Sequence, residues 1–556
     1  MSRLCVPDSR EKKNRTSPVM SEDNRSISLA FEAFQPPENA HETVQICRPF
    51  AVLSKNTYSA AITLPLGCAY LASTLEAAGY TVSVLDALGA DLFEIRRSPC
   101  NTYNYQGTSK DELLKLVDPN AKVLGVSMMF SQEWLPHREF IQAVKANYPD
   151  LIIVAGGEHP TAMPEYVLRD CTEIDYLVMG EGELTFLELV HAIFHGKEPR
   201  KIAGVCSIDK TGSFISNGLS PRIKNFTELP RPAWHLFKVD SYFHANWTMG
   251  ISMGRNMPIL GTRGCPYQCT FCSSPTMWTT RYKMRDPVDV VDEIEHMIKT
   301  YNANSIEFFD LTAIVKKSWI QAFCAELIRR DIMIPWQLPS GTRSEALDEE
   351  TLQAMYDTKC RLLVYAPESG SQQMLDKIKK KLNLKQLNES VASAVRIGHT
   401  VKINLIIGFP QETLSDVLET IRYAVKMAWA GVDDGAIAIF TPYPGSELYN
   451  QLRKDNKLPP PNDEYIRSLL VQFDPTKSTS YCQKVSGPTL AFWRIVGQST
   501  YYLTAYLAHP RRIVRLLRNL HKPKFKASSV FEQRIYDLYA RIRFLRQTAR
   551  DSCQKK

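Results

Sequence analysis

A Rossmann-like, doubly wound α/β domain, a partial TIM-like (β/α)6 barrel and a helical C-terminal region are what the 556-residue sequence predicts. Three observations lead there. From about residue 45 to 200, short apolar runs alternate with stretches whose apolar residues recur every three or four positions. A second series of the same kind opens near Pro258, after a proline-punctuated connector at Glu228–Trp234. The last hundred residues carry helical patterns and no strand series. Fully apolar strands between amphipathic helices belong to parallel sheets covered on both faces, and six consecutive β/α units make a partial or full barrel.

Residues 1–42 lack periodicity and are expected to form a disordered arm. Within 43–200 the strand candidates are 50–53, 82–85, 123–126, 151–155 and 176–179, with helices such as 67–78 and 136–147 between them. In such a domain the ligand sits at the carboxyl ends of the strands. Small or polar residues stand at three of those ends: Ser127, then Gly156 and Gly157, then Gly180, Glu181 and Gly182. One glycine of this kind closes a tight turn. Three such ends in one sheet point to a bulky ligand that the backbone approaches closely. Residues 201–252 are expected to be a linker. The barrel, 253–455, has strand candidates at 259–262, 306–311, 336–340, 362–366, 403–407 and 436–440, separated by helices such as 288–299, 319–330 and 416–428. Residues 456–556 are expected to form a helical, basic C-terminal domain.

Composition narrows the function classes. Hydrophobic residues at 44% and charged ones at 23% give an ordinary globular balance. No apolar stretch reaches the roughly 20 residues of a spanning helix, and the polar first forty residues hold no apolar signal core. Thirteen scattered cysteines, an odd number, do not form a disulfide framework and fit a reducing, cytoplasmic setting. The formal charge of +8 is unevenly spread: from Pro510 to Lys556 there are fourteen Lys and Arg against three Asp and Glu. The basic balance belongs to the tail, so the chain as a whole is not expected to bind nucleic acid.

The chemistry lies in one loop. Cys265, Cys269 and Cys272 occupy a C-x3-C-x2-C spacing at the end of the first barrel strand. Structural zinc sites use four ligands, commonly as two separated pairs, and no nearby fourth Cys or His completes this set. Three thiolates suit a 4Fe–4S cluster with one iron left open, and the carboxyl end of a barrel strand is where barrel active sites sit.

That loop, RGCPYQCTFC at 263–272, resembles the signature of the radical S-adenosylmethionine superfamily. Phe271 matches the usual aromatic before the third cysteine. The segment 306–310 resembles the second strand of that family, Ala366 to Gly370 the fourth, 406–410 the fifth and 441–445 the end of the sixth. The resemblance implies that the open iron binds S-adenosylmethionine, with Phe271, Glu368 and Gly408 beside it. Leu64 to Ala72, Gly79, Tyr80 and Asp86 resemble the cobalamin-binding domain fused to a large subgroup of these enzymes. The subgroup includes the anaerobic magnesium-protoporphyrin ester cyclase and cobalamin-dependent methylases. By that resemblance Ser127, Gly156, Gly157, His159, Gly180, Glu181 and Gly182 line the cobalamin. The Asp-x-His-x-x-Gly stretch of other cobalamin proteins is missing, so the corrinoid is expected to lack a histidine cobalt ligand, His159 included.

The function so implied is methylation of an unactivated carbon, through a 5′-deoxyadenosyl radical and methylcobalamin. A radical cyclase or rearrangement enzyme with the same cofactors is the alternative, and a non-catalytic cobalamin or redox sensor is the reading from another class. The enzyme readings require a small-molecule or lipid-like substrate and an external electron donor such as flavodoxin or ferredoxin. Trp278 and Tyr282 either line a substrate pocket or brace the cysteine loop, and Arg343 either meets a carboxylate or makes a structural ion pair. In the tail, Arg511 to Arg518 sets apolar residues at helical spacing between cations. Such a segment lies either at a membrane surface or on the barrel with its arginines snorkelling.

Overall fold

The computed structural model describes residues 31, 33–37, 43–55, 62–99, 101–470, 478–520, 527–539 and 542. Most of the expected arm, 1–30, 32 and 38–42, lies outside the described residues. The part that is described docks on the first domain: Phe31 is buried and the ring of Phe34 stands edge-on to His191 at 5.5 Å.

Among the described residues ten strands build the first domain: β1 (Thr43–Arg48), β2 (Ala51–Ser54), β3 (Val82–Asp86), β4 (Ile95–Arg97), β5 (Tyr103–Gln106), β6 (Ala121–Ser127), β7 (Ile152–Gly156), β8 (Tyr176–Val178), β9 (Val205–Ile208) and β10 (Phe214–Ser216). The main sheet runs β10-β9-β8-β7-β6-β1-β3, parallel from β8 to β3 and antiparallel at its β9–β10 edge. Strand order reverses between β1 and β6, the switch point where open α/β sheets bind ligands.

Two expectations are corrected here. The first parallel strand is β1, not 50–53. Gln45 interrupts its apolar run, yet that side chain is satisfied inside: its carbonyl accepts from the Asp118 N–H at 3.1 Å and its amide donates to the Leu116 carbonyl. Residues 51–54 instead pair with β5 in a small antiparallel sheet of order β2-β5-β4. The region 201–252 is not simply a linker either, because β9 and β10 extend the first sheet through Ser216.

Eight strands follow: β11 (Asn256–Ile259), β12 (Thr262–Arg263), β13 (Lys283–Met284), β14 (Ser305–Phe308), β15 (Trp336–Thr342), β16 (Cys360–Glu368), β17 (Thr400–Ile407) and β18 (Asp434–Ile439). Six of them form the parallel series β11-β14-β15-β16-β17-β18, a barrel wall that does not close. Helix α1 (Gly487–Ala508) covers its last edge. The Gln498 amide accepts from the Ile437 N–H at 3.1 Å and donates to the Gly435 carbonyl at 2.6 Å, supplying the bonds a neighbouring strand would make. Tyr501 lies against Gly435, where a Cβ would meet its ring at 2.6 Å. The helical C-terminal region thus supplies one helix of the barrel wall. Further on, the Val530 and Phe531 N–H groups donate to Asp434 at the amino end of β18, on the side away from the cysteine loop.

Candidate active site

The cysteine loop is rooted before it reaches its first thiol. Asp310 is fully buried and accepts from the Gly261 N–H at 3.1 Å and from the Thr262 hydroxyl, fixing the turn between β11 and β12. Burial raises the Asp310 carboxyl to about 6. β12 then pairs antiparallel with β13, closing the loop at its base. Gly264 has φ +83° and a Cβ there would fall 2.6 Å from the Arg281 carbonyl, so the first step into the loop requires glycine. At mid-loop the Thr270 N–H donates to the Ile378 carbonyl and the Thr270 carbonyl accepts from Leu448, pinning the segment from both sides.

Cys265, Cys269 and Cys272 are free and partly exposed. The Thr312 hydroxyl reaches the Cys265 sulfur at 3.4 Å, and Cys272 donates to the Ser274 hydroxyl at 3.2 Å. Burial pushes the Cys269 thiol up to about 11 and raises Cys272, so iron binding must displace protons. Among the described residues no three His, Cys, Asp or Glu side chains converge to hold a single metal ion. A four-iron cluster is larger and spreads its thiolates over separate irons, so three cysteines on one pinned loop fit it. Tyr282 braces this loop, its hydroxyl donating to the Thr312 carbonyl at 3.1 Å, while Trp278 carries the Arg222 guanidinium over its ring. Arg343 also turns inward: it donates to the carbonyls of Lys380 and Lys381, pairs with Glu345 and stacks on Tyr267 at 3.7 Å.

Phe271, Glu368 and Gly408 come together beside the loop. The Phe271 and Phe409 rings stand 5.7 Å apart. Glu368 adopts φ +66°, uncommon for a residue with a Cβ, and pairs with the partly buried Lys380 at 2.8 Å. Lys380 in turn stands over Phe271. Gly408, at φ +91°, gives its N–H to Glu412, and a Cβ there would strike Leu490 of α1 at 2.7 Å. The backbone of Gly408 is thus committed within the protein. Burial raises Glu412 to about 7.

The strand ends of the first sheet face this loop. Ser127, beside the switch point, bonds the Cys68 sulfur. The Gly156 carbonyl accepts from Met128, and a Cβ on Gly156 would meet nothing closer than 3.6 Å. Gly157 (φ +116°) is required by its own fold, since a Cβ there would fall 2.4 Å from the Met128 carbonyl. Helix Glu158–Ala162 follows. His159 is buried, its Nδ1 at 2.9 Å from the Ser131 hydroxyl and its Nε2 unpartnered; burial lowers it to about 3, so it is neutral. The Gly180 N–H donates to Thr161 at 3.0 Å, and Gly182 abuts Leu71.

The Glu181 carboxylate is committed within the protein. One oxygen accepts from Arg263 at 3.1 Å; the other accepts from Arg222 at 2.9 Å and the Ile223 N–H at 2.8 Å. Glu183 adds a second bond to Arg263 at 2.6 Å. The Arg263 guanidinium lies between the rings of Tyr70 and Phe226. This buried cluster ties the first sheet to the residue two places before Cys265. Sequence gave no sign of it, because the partners are 82 positions apart.

A cavity of about 240 Å³ opens where the two domains meet, lined by Met129, Phe130, Ser131, Glu158 and Ala162 from one side and Ser273, Tyr443 and Pro444 from the other. Burial raises the carboxyl of Glu158, which hydrogen-bonds Ser273, the neighbour of Cys272. Sequence reasoning passed over Met129 and Phe130 and met Glu158 only within the strand-end run 156–160; the signal was an apolar pair just after a strand end. The pair Met129–Phe130 thus stands beyond the carboxyl end of β6, on the side of the cysteine loop.

Comparison with known proteins agrees with this geometry. A B12 binding domain model matches residues 57–190, and a radical SAM superfamily model matches 259–424. An uncharacterized methyltransferase of Pyrococcus horikoshii, PH0819, is 30% identical over 71% of this chain and 79% of its own length. The cytidylyl-2-hydroxyethylphosphonate methyltransferase of Streptomyces wedmorensis is 26% identical over 78% of this chain and 85% of its own. The anaerobic magnesium-protoporphyrin IX monomethyl ester cyclase of Rubrivivax gelatinosus is 28% identical over 70% and 66%. Among solved structures, the radical S-adenosylmethionine methyltransferase TsrM of Kitasatospora setae shares the fold, with a TM-score of 0.57 at 18% identity over 74% of this chain and 76% of that one. Two fused modules, a three-cysteine loop facing the strand ends of the first sheet, and this level of likeness lead to one conclusion: the chain belongs to the cobalamin-binding radical S-adenosylmethionine enzymes.

Proposed function

We propose that this enzyme methylates an unactivated carbon of a small-molecule substrate. The observation that carries the reading is the cavity between the modules, which is bordered both by Ser273, next to the cluster ligand Cys272, and by Met129 to Ser131 at the cobalamin-side strand ends. When bound, the cluster with S-adenosylmethionine supplies a hydrogen-abstracting radical, and cobalamin supplies a methyl group.

The protein's part is placement. Cys265, Cys269 and Cys272 hold the cluster. Phe271 and Glu368 border S-adenosylmethionine, with Lys380 fixing the Glu368 carboxylate, and Gly408 shapes the turn beside them. Ser127, Gly156, Gly157, His159, Gly180 and Gly182 form the cobalamin seat, and Glu181 stands behind it. Met129, Phe130 and Pro444 give the cavity an apolar lining. Glu158 keeps its proton more readily than a solvated carboxyl and can hold it at the Ser273 hydroxyl. The reading includes a reducing, cytoplasmic setting, which the scattered cysteines fit, and an external electron donor such as flavodoxin or ferredoxin. Among the described residues no helix is long and apolar enough to cross a membrane.

Likeness to the protoporphyrin ester cyclase supports a second reading, radical cyclisation or rearrangement without methyl donation. One experiment separates the two. The reconstituted, reduced enzyme is incubated anaerobically with methyl-labelled S-adenosylmethionine and candidate substrates, and products are read by mass spectrometry. Methylation requires 5′-deoxyadenosine together with S-adenosylhomocysteine. Deoxyadenosine alone, with a converted but unlabelled substrate, selects cyclisation or rearrangement. An intact cluster that never cleaves S-adenosylmethionine would favour the sensor.

A further inference from the structure

The outer face of α1 departs from the rule for surface helices. Gly487–Ala508 holds no Asp, Glu or Lys, and its one charged residue, Arg494, is buried. Leu490, Gly497, Tyr501 and Ala505 form the inward stripe on the barrel. On the opposite side Phe492, Ile495, Leu503 and Leu507 are 57%, 53%, 62% and 67% exposed. At 3.6 residues per turn these four fall within about a third of the circumference, along a helix about 33 Å long. A surface helix normally turns charged residues outward, and a large exposed apolar patch marks an interaction site.

What lies at the end of that stripe identifies the partner. Helix α2 (Arg511–Leu520) follows α1 directly. Arg512 and Arg515 turn inward onto Asp433, at 3.2 and 3.9 Å. Arg511 and Arg518 are exposed, beside exposed Ile513 and Val514. Trp429 is 71% exposed at the same corner, where His509 donates to its carbonyl at 3.2 Å. Outward apolar side chains, an exposed tryptophan and cations with no acidic counterpart among them match the interface of an anionic bilayer. A second copy fits less well, since a two-fold contact through one patch sets like charges against each other. Nucleic acid would leave the apolar stripe in water.

We propose that the outer face of α1 and α2 docks the enzyme on the surface of an anionic lipid membrane, without crossing it. The interaction is independent of the reaction catalysed. The test is flotation of the full-length reconstituted enzyme with vesicles of phosphatidylcholine alone or mixed with phosphatidylglycerol, at low and high salt. The expected result is binding to the mixed vesicles that high salt weakens, with little binding to phosphatidylcholine alone. Arg511→Glu with Arg518→Glu should weaken binding about tenfold or more, as should Leu503→Glu with Leu507→Glu. All four positions are exposed, so melting temperatures should stay at the wild-type value; equal Tm in both variants guards against misfolding. Three results would overturn the proposal: no flotation with anionic vesicles; a dimer abolished by the leucine variants without vesicle binding; or RNA binding lost in the arginine variants without vesicle binding.

Discussion

Two glutamates follow neighbouring strands of the first sheet, and the protein uses them in opposite ways. Glu181, after β8, is saturated: two arginines and a backbone N–H occupy its oxygens in a buried cluster. Glu158, after β7, faces the cavity between the modules and accepts from the Ser273 hydroxyl. Both stand beside glycines at carboxyl ends, where a bulky ligand is expected. The difference comes from the barrel residue opposite each one, a guanidinium in one case and a hydroxyl in the other. A strand-end position therefore shows where a ligand approaches, while the facing domain decides which side chains are left to meet it.

The strongest way to break this comparison is Glu181→Ala. Removing Glu181 from the buried cluster leaves Arg222 without a carboxylate and Arg263 with Glu183 alone, which costs about 3–5 kcal/mol. The denaturant midpoint should fall accordingly, and iron bound per chain after reconstitution should fall with it, because Arg263 leads into the cysteine loop. Wild-type stability and full iron loading in this variant would remove the clamp from the account.

Asp310 tests the root of the same loop from the barrel side. Its carboxyl sits at about 6 in the folded chain against 3.8 for an ordinary Asp. The native state therefore binds that proton more tightly than the unfolded state, and stability is lost as pH rises from about 4 to about 6. Over those roughly two units the loss is on the order of 3 kcal/mol. Asp310→Asn removes the titration, so the wild-type minus variant stability difference, followed by urea unfolding at a series of pH values, should slope in that window and be flat above it.

Smaller effects belong to Glu158. Ser273→Ala takes away its hydroxyl partner and should cost about 0.5–1.5 kcal/mol, the net worth of one hydrogen bond. Glu158→Gln keeps a hydrogen bond to Ser273 and should shift stability by less than about 1 kcal/mol, with iron content unchanged but product formation reduced. Loss of the cluster in Glu158→Gln would make the two glutamates alike and end the contrast.

Sequence carried much of this. Apolar runs at strand spacing located the parallel series because a doubly covered strand must be apolar on both faces. Three cysteines at C-x3-C-x2-C needed only local chain geometry to declare their use. The strand Thr43–Arg48 was missed because Gln45 is satisfied by Asp118 and Leu116, more than seventy positions away. The clamp was hidden for the same reason, since nothing around Gly180-Glu181-Gly182 announces Arg263. Gln498 likewise reads as a polar residue in an apolar helix until the open edge of β18 is seen beside it. Local physics writes elements and motifs into the sequence; partners across domains appear only when the chain is folded.

The Glu181–Arg263 clamp also has a consequence in time. A ribosome completes the first domain before the cysteines emerge, and domains generally fold in that order during synthesis. Glu181 and Glu183 are then already held on their sheet when Arg263 leaves the exit tunnel, followed two residues later by Cys265. The nascent loop meets a prepared anchor, so its thiols can be drawn to one seat before stray oxidants or metals reach them. Moving the cobalamin-binding module to the far end of the gene would keep every contact and forfeit that head start.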